Sequence, residues 1–182
     1  MFQWLRERGR TRRIGAKIYD SIVAQARAEA FYRDLRVPDT PEGRLELIVL
    51  HIHLVLERLT REGAAGASLS RAISETFVTD MDDSMREMGV GDLGVPRRVK
   101  RAAAAVYDRG RVYHAAQHSG DAHALAAALA EHIYITGCAD PALPARLADY
   151  VSRASQTLAG IAPGEVLDGE LRFPEVIISP RD

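Results

Sequence analysis

"MREMGVGDLGVPRRVK", residues 85–100, sets Gly89, Gly91 and Gly94 at the spacing of a dinucleotide-binding fingerprint. That motif needs a strand before its first glycine and a helix after its last, because the phosphates sit where a buried strand turns into a helix N-terminus. Upstream of Gly89, however, Leu69, Ile73, Phe77, Met81, Met85 and Met88 recur at intervals of three or four. Such a row lies along one face of an α-helix. A helix in that place speaks against a phosphate cradle and for a helix–turn–helix connection, with Gly89 as its left-handed cap. The stretch reads as all-α.

Working outward, the same periodicity recurs on both sides. A helix from about Pro96 to Ser119 turns Val99, Ala103, Val106, Gly110 and Tyr113 inward. Asp121 opens a further helix with Leu125, Leu129, His132 and Ile133 on its stripe. Asp140 and Pro141 open another, using Leu143, Leu147, Tyr150, Val151, Ala154 and Leu158 up to Gly160. Upstream, "EGAAGAS" (62–68) reads as a loop, with Ser68 or Ser70 capping the helix that ends at Gly89. Before that loop, Thr40 is a natural N-cap and Pro41 suits the first helical position, where its missing N–H costs nothing. The helix they start carries Leu45, Leu47, Ile48, Val49, Leu50, Ile52, Leu54, Val55 and Leu56 on nearly all faces, as a central buried helix must. Ile14, Ile18, Ile22 and Ala26 predict a first helix ending near Leu35. The fold class is therefore all-α: a single-domain bundle of about six helices with an irregular C-terminal tail. Its parts are a basic arm (1–13), a helical domain (14–160) and a Gly- and Pro-rich tail (161–182) lying over the same domain.

Composition agrees. The 182 residues suffice for one domain with a real core, and 47% hydrophobic with 27% charged residues is ordinary for a globular protein. Alanine runs such as 102–105 and 124–130, with only four Phe and one Trp, favour helix over sheet. A net charge of −1 gives no nucleic-acid footprint. The lone Cys138 makes no internal disulfide or cysteine-cluster metal site and suits a reducing compartment. The densest apolar run, Leu47 to Leu56, is broken by two histidines and falls well short of the roughly 20 residues that span a bilayer. A cytoplasmic location is the expectation. At the N-terminus, Phe2 and Trp4 precede Arg6, Arg8, Arg10, Arg12 and Arg13, a pattern suited to contact with an anionic membrane surface.

Catalytic and metal-binding patterns are weak. "DMDDS" (80–84) fails as a calcium loop, since Met85 stands where glycine is needed and Gly91 where an acid is needed. It fails as a DDxxD diphosphate motif because Arg86 occupies the last acidic place. His114 and His118 stand four apart on one helix face, a spacing that holds zinc, with Asp121 or His123 as a third ligand. This helical metalloprotein is the rival reading. His51 and His53 diverge by about 200° around a helix and suit burial rather than joint chelation. No nucleophile elbow, P-loop or haem-attachment motif occurs, so the chain reads as a non-enzyme without a cofactor.

Charge placement is more informative. Wheel arithmetic puts Asp80 and Glu87 at the edge of the third helix's apolar stripe, with Glu75, Asp82 and Arg86 opposite it. Arg97, Arg98, Lys100 and Arg101 crowd the first turns of the next helix and oppose its macrodipole by about 0.3–1 kcal/mol each when exposed. One account pairs Asp80 and Glu87 with Arg98 and Lys100 across the hairpin. The other groups Glu75, Asp80, Asp82, Asp83, Glu87, Arg97 and Arg101 into a charged surface for a protein partner. A generic helical interaction scaffold satisfies either account.

Three ordered blocks, "FYRDLRVPDTPEGRLELIVLHIHLVLERL" (31–59), "FVTDMDDSMREMGVGDLGVPRRVK" (77–100) and "LAAALAEHIYI" (125–135), run on to "ELRFP" (170–174). In that order they resemble the ubiquinol–cytochrome c chaperone family in its bacterial form. The resemblance implies an all-helical, non-catalytic assembly factor for the cytochrome bc1 complex, which binds newly made cytochrome b. In the mitochondrial branch a small partner subunit takes part. The basic arm 6–13 favours the anionic cytoplasmic leaflet, so a peripheral protein on the cytoplasmic face of the inner membrane is the expectation. Cytoplasmic loops of membrane proteins are rich in Lys and Arg, which a carboxylate surface complements.

Overall fold

The computed structural model describes residues 2–87, 89, 94–121, 123–135, 137 and 140–177, with side chains from Arg6 onward. Among them run eight α-helices: α1 (Phe2–Ala26), α2 (Glu29–Arg33), α3 (Pro41–Leu59), α4 (Gly63–Glu87), α5 (Val95–Gln117), α6 (Ala124–Ile133), α7 (Ala142–Ala159) and α8 (Pro163–Leu167). Six of these have ten or more residues; α2 and α8 have five each. The fold is all-α.

α3 is the axis of the bundle. The Thr40 hydroxyl accepts from the Gly43 N–H at 3.1 Å and Pro41 takes the first helical position, so the helix starts where the cap chemistry dictates. It packs against α1, α4, α5, α6 and α7. Leu47, Val49, Leu50, Ile52 and Val55 are fully enclosed. α7 buries its whole expected stripe, from Leu143 through Leu158.

The ends of α1 and α4 depart from the sequence reading. α1 begins at Phe2, and the basic stretch 6–13 is helical and continuous with 14–26. It stops at Ala26 rather than near Leu35, because Ala28 is extended (φ −58°, ψ 126°) and re-aims the chain. The break lets Phe31 and Leu35 enter the core, while the Tyr32 hydroxyl donates to the freed Ala26 carbonyl at 2.8 Å. The segment 62–68 is not a loop. A single 3-10 turn at Thr60–Glu62 leads directly into α4 at Gly63, and the alanines that follow are good helix formers.

α1 and α4 lie unusually close at Gly15, where an added Cβ would stand 2.6 Å from the Ala72 Cβ. Past Glu87, Gly89 adopts φ +75° and its N–H donates to the Arg86 carbonyl at 3.0 Å. That is the left-handed cap expected of a turn out of a helix. The element before the glycines is thus a helix, and the nucleotide fingerprint lacks its strand. Gly91 itself lies outside the described residues.

Beyond α8 the chain continues to residue 177 without regular secondary structure, tied to α1 and α7. Arg10 pairs with Asp168 at 2.7 Å and Lys17 with Glu170 at 2.6 Å. Gln25 donates to the Pro174 carbonyl at 3.4 Å, and Arg153 to the Glu175 carbonyl at 3.0 Å. Phe173 meets His51 edge to face, with ring centroids 5.4 Å apart. The tail is a strap over the bundle.

Candidate functional site

α5 carries the feature the sequence reading treats as plain core. Of its expected inward row, Tyr113 is buried, but Val99, Ala103, Val106 and Gly110 are only half covered. Three of them line an apolar groove of about 560 Å³ between α3, α4 and α5. Ile52, Leu56, Phe77 and Val78 form its other walls, and Tyr107 stands at the edge, 70% exposed. The packing that would close α5 onto its neighbours stops short, leaving apolar surface open to a visitor.

His53, Glu57, Arg111 and His114 give the groove a polar margin. His53 Nε2 lies 3.2 Å from both Gln117 Oε1 and Glu57 Oε2. Its one proton there is placed to donate to Gln117, leaving Glu57 Oε2 buried without a hydrogen bond of its own. Burial holds His53 below the usual histidine range, only partly offset by Gln117 and Glu57. On the solvent side His114 Nδ1 meets Glu57 Oε1 at 3.1 Å. The third group beside His114 and His118 is therefore Glu57 of α3, not Asp121 or His123. Asp121 instead accepts from the His123 N–H at 2.8 Å, ahead of α6.

The expected charged surface is arranged differently from a laced hairpin. Among the described residues no ion pair joins Asp80 or Glu87 to Arg98 or Lys100. Asp80 accepts from the Tyr19 hydroxyl at 2.7 Å, and burial with this bond pushes the Tyr19 phenol well above its ordinary range. Asp82 pairs with Arg86 at 2.7 Å one turn along. Glu75, Asp83, Glu87, Arg97 and Arg101 are exposed, while Asp80 and Asp82 are half-buried. At the N-terminus Arg6, Arg8 and Arg10 are exposed on α1, and Arg10 is tied to the strap. The side chains of Phe2 and Trp4 lie outside the described residues. No described helix is long and apolar enough to cross a membrane.

With this geometry in hand, the sequence profile of the ubiquinol-cytochrome C chaperone family matches residues 33–173, more than three quarters of the chain. The chain belongs to that family. A solved structure similar to this chain, the Cbp3 homolog from Brucella abortus, is 37% identical, with a TM-score of 0.83 over 96% of this chain and 97% of that one. The ubiquinol-cytochrome c reductase complex assembly factor 1 of Mus musculus is 28% identical over 90% of this chain and 58% of its own length. That of Xenopus laevis is 27% identical over 90% of this chain and 80% of its own. The chain thus spans somewhat over half the length of the mouse relative. The three ordered blocks read in the sequence fall almost wholly inside the matched segment.

Sequence reasoning misses two polar pairs that hold the bundle together. Glu46, only 8% exposed, accepts from Arg109 of α5 through both carboxylate oxygens, at 3.2 and 3.3 Å. Arg58 donates to the Leu158 and Ile161 carbonyls at 2.9 Å each and pairs with Glu62. Their partners lie some 60 and 100 residues away in the chain, so no local pattern announces them.

Proposed function

We propose that this chain is a non-enzymatic assembly chaperone of the cytochrome bc1 complex and binds newly made cytochrome b. The observation that carries the reading is the family profile across residues 33–173. The relatives named above take their names from assembly of the ubiquinol–cytochrome c reductase complex, which supports placing this chain in the same process.

The molecule offers two kinds of contact for such a client. The open groove beside α5 suits an apolar segment that has not yet found its own partners. The exposed acids Glu75, Asp83 and Glu87, with Asp82 and the inner Asp80, suit basic loops of a membrane protein. Arg97 and Arg101 add the opposite charge beside them and fix the orientation of docking. Arg6, Arg8 and Arg10, with Phe2 and Trp4, serve peripheral contact at the cytoplasmic face of the inner membrane, where a polybasic segment gains from anionic lipid. A small partner subunit completes the assembly.

Deletion of the gene in its host tests this reading. The expected result is loss of spectral haem b and of bc1 activity, restored by the full chain in trans. Normal haem b and normal activity in the deletion strain would refute it. A pull-down lacking every bc1 subunit would instead favour a helical scaffold with an unrelated client.

A further inference from the structure

We infer that Glu57, His114 and His118 form a binding site for a divalent transition-metal ion of the zinc class, joining α3 to α5 at the mouth of the groove. One ligand atom from each residue can be chosen so that all three lie within 4.8 Å of one another. Glu57 Oε1 is 3.1 Å from His114 Nδ1 and 3.9 Å from His118 Nε2. Ligand atoms at the vertices of a tetrahedral zinc site stand about 3.3 Å apart, given metal–ligand bonds of about 2.0–2.1 Å. Small side-chain rotations therefore close the site without moving the helices.

The surroundings favour a metal over a simple ion pair. His118 donates its Nδ1 proton to the His114 carbonyl at 2.8 Å. This fixes the tautomer and leaves the Nε2 lone pair facing Glu57, as a metal-ligating imidazole requires. The two rings lie 4.2 Å apart, so both imidazoles face the same side of Glu57. Glu57 carries a buried oxygen with no hydrogen bond, so its charge is only partly answered by protein. His114 is 59% exposed, and its proton passes from Nδ1 through water to Nε2 when Nδ1 takes up the metal. Two nitrogens and one carboxylate select zinc, nickel or copper over magnesium or calcium. The fourth position is left to water. Glu57 and His114 line the groove, while Glu57 and His118 line a second cavity of about 270 Å³ toward α7. An ion held here pins the width of the groove by tying its α3 wall to its α5 wall.

The test uses the full chain without a polyhistidine tag, stripped with a chelator and titrated with zinc chloride against a chromophoric competitor. Cobalt(II) serves as a parallel spectroscopic probe. The site predicts saturable 1:1 binding and cobalt ligand-field bands. His114→Ala or His118→Ala should weaken binding by at least about tenfold, and the double variant should abolish the bands. Both imidazoles are exposed, so circular dichroism of the variants should match the parent. His123→Ala, which removes a histidine outside the cluster, should bind as the parent does. Absence of saturable binding overturns the site, and so does binding retained within threefold by the His114→Ala/His118→Ala double variant.

Discussion

His51 shows how a single polar residue is made to fit a core. It is fully enclosed, and its Nδ1–H donates to the Leu47 carbonyl at 2.7 Å while Nε2 accepts from the Tyr150 hydroxyl at 2.8 Å. The Gln25 amide donates in turn to that hydroxyl at 3.0 Å, so the neutral imidazole has every bond it can make. Burial, only partly offset by the Leu47 carbonyl, holds His51 down at about 4 from an ordinary value of 6.5. The unfolded chain takes up a proton below about 6.5 and the folded chain only near 4, so the stabilisation is full above 6.5 and is lost as pH falls between them. In urea titrations the wild type should lose about 1.2 kcal/mol more than His51→Leu between pH 6 and 5. Equal slopes would show that His51 does not carry this dependence. Arg58 is the second such residue, bonded to two carbonyls at the C-terminal end of α7, where a cation is favoured. Arg58→Met should cost about 2–4 kcal/mol in denaturant unfolding at neutral pH, because Glu62 and the Ile161 carbonyl lose the Arg58 bond and the Leu158 carbonyl keeps only the Ile161 N–H. A loss under 0.5 kcal/mol, roughly the scatter of surface changes, would contradict the assignment. The burial of His51 and His53 was legible in the sequence from their place in an apolar helix. That of Glu46 and Arg58 was not, because long-range partners leave no local pattern.

At the scale of elements, local chemistry was readable where it is self-contained. Thr40 with Pro41, the stripe of α7 and the left-handed Gly89 all stand where cap and period rules put them. The rules failed where tertiary contact overrides them. Residues 62–68 look like a loop by glycine content yet begin α4, and α1 breaks at Ala28 with no proline or glycine to announce it. The approach of α1 to α4 at Gly15 is of the same kind, set by a neighbour 57 positions on. Gly15→Ala should destabilise by about 1–3 kcal/mol, since the Ala72 Cβ is stiff and has little freedom to withdraw. In a double-mutant cycle read by thermal or urea unfolding, Ala72→Gly should recover part of that loss; strict additivity would mean the contact is not the cause.

At the scale of the whole molecule, the fold class and the family were legible, while the groove was not. Ala103, Val106 and Gly110 obey the helical period as core residues do, and nothing in a period states whether a neighbour covers them. The charged surface was visible as a broken dipole rule on α5, but its inner edge was not: Asp80 turns to Tyr19 instead of crossing the hairpin. If the remaining acids receive the client, Asp82→Lys with Asp83→Lys should lower cytochrome b recovery several-fold while circular dichroism and the melting temperature stay near the parent's. Unchanged recovery by that folded variant would remove the surface from the account. The claim beneath all of this is that the molecule holds cytochrome b before the bc1 complex forms. Its most direct test is a pulse-label experiment in the host, with a tagged chain that restores bc1 activity to the deletion strain. The account predicts that freshly labelled cytochrome b is recovered with the chain and leaves it during the chase as assembled complex appears. A functional tagged chain that recovers no labelled cytochrome b at any time would contradict it.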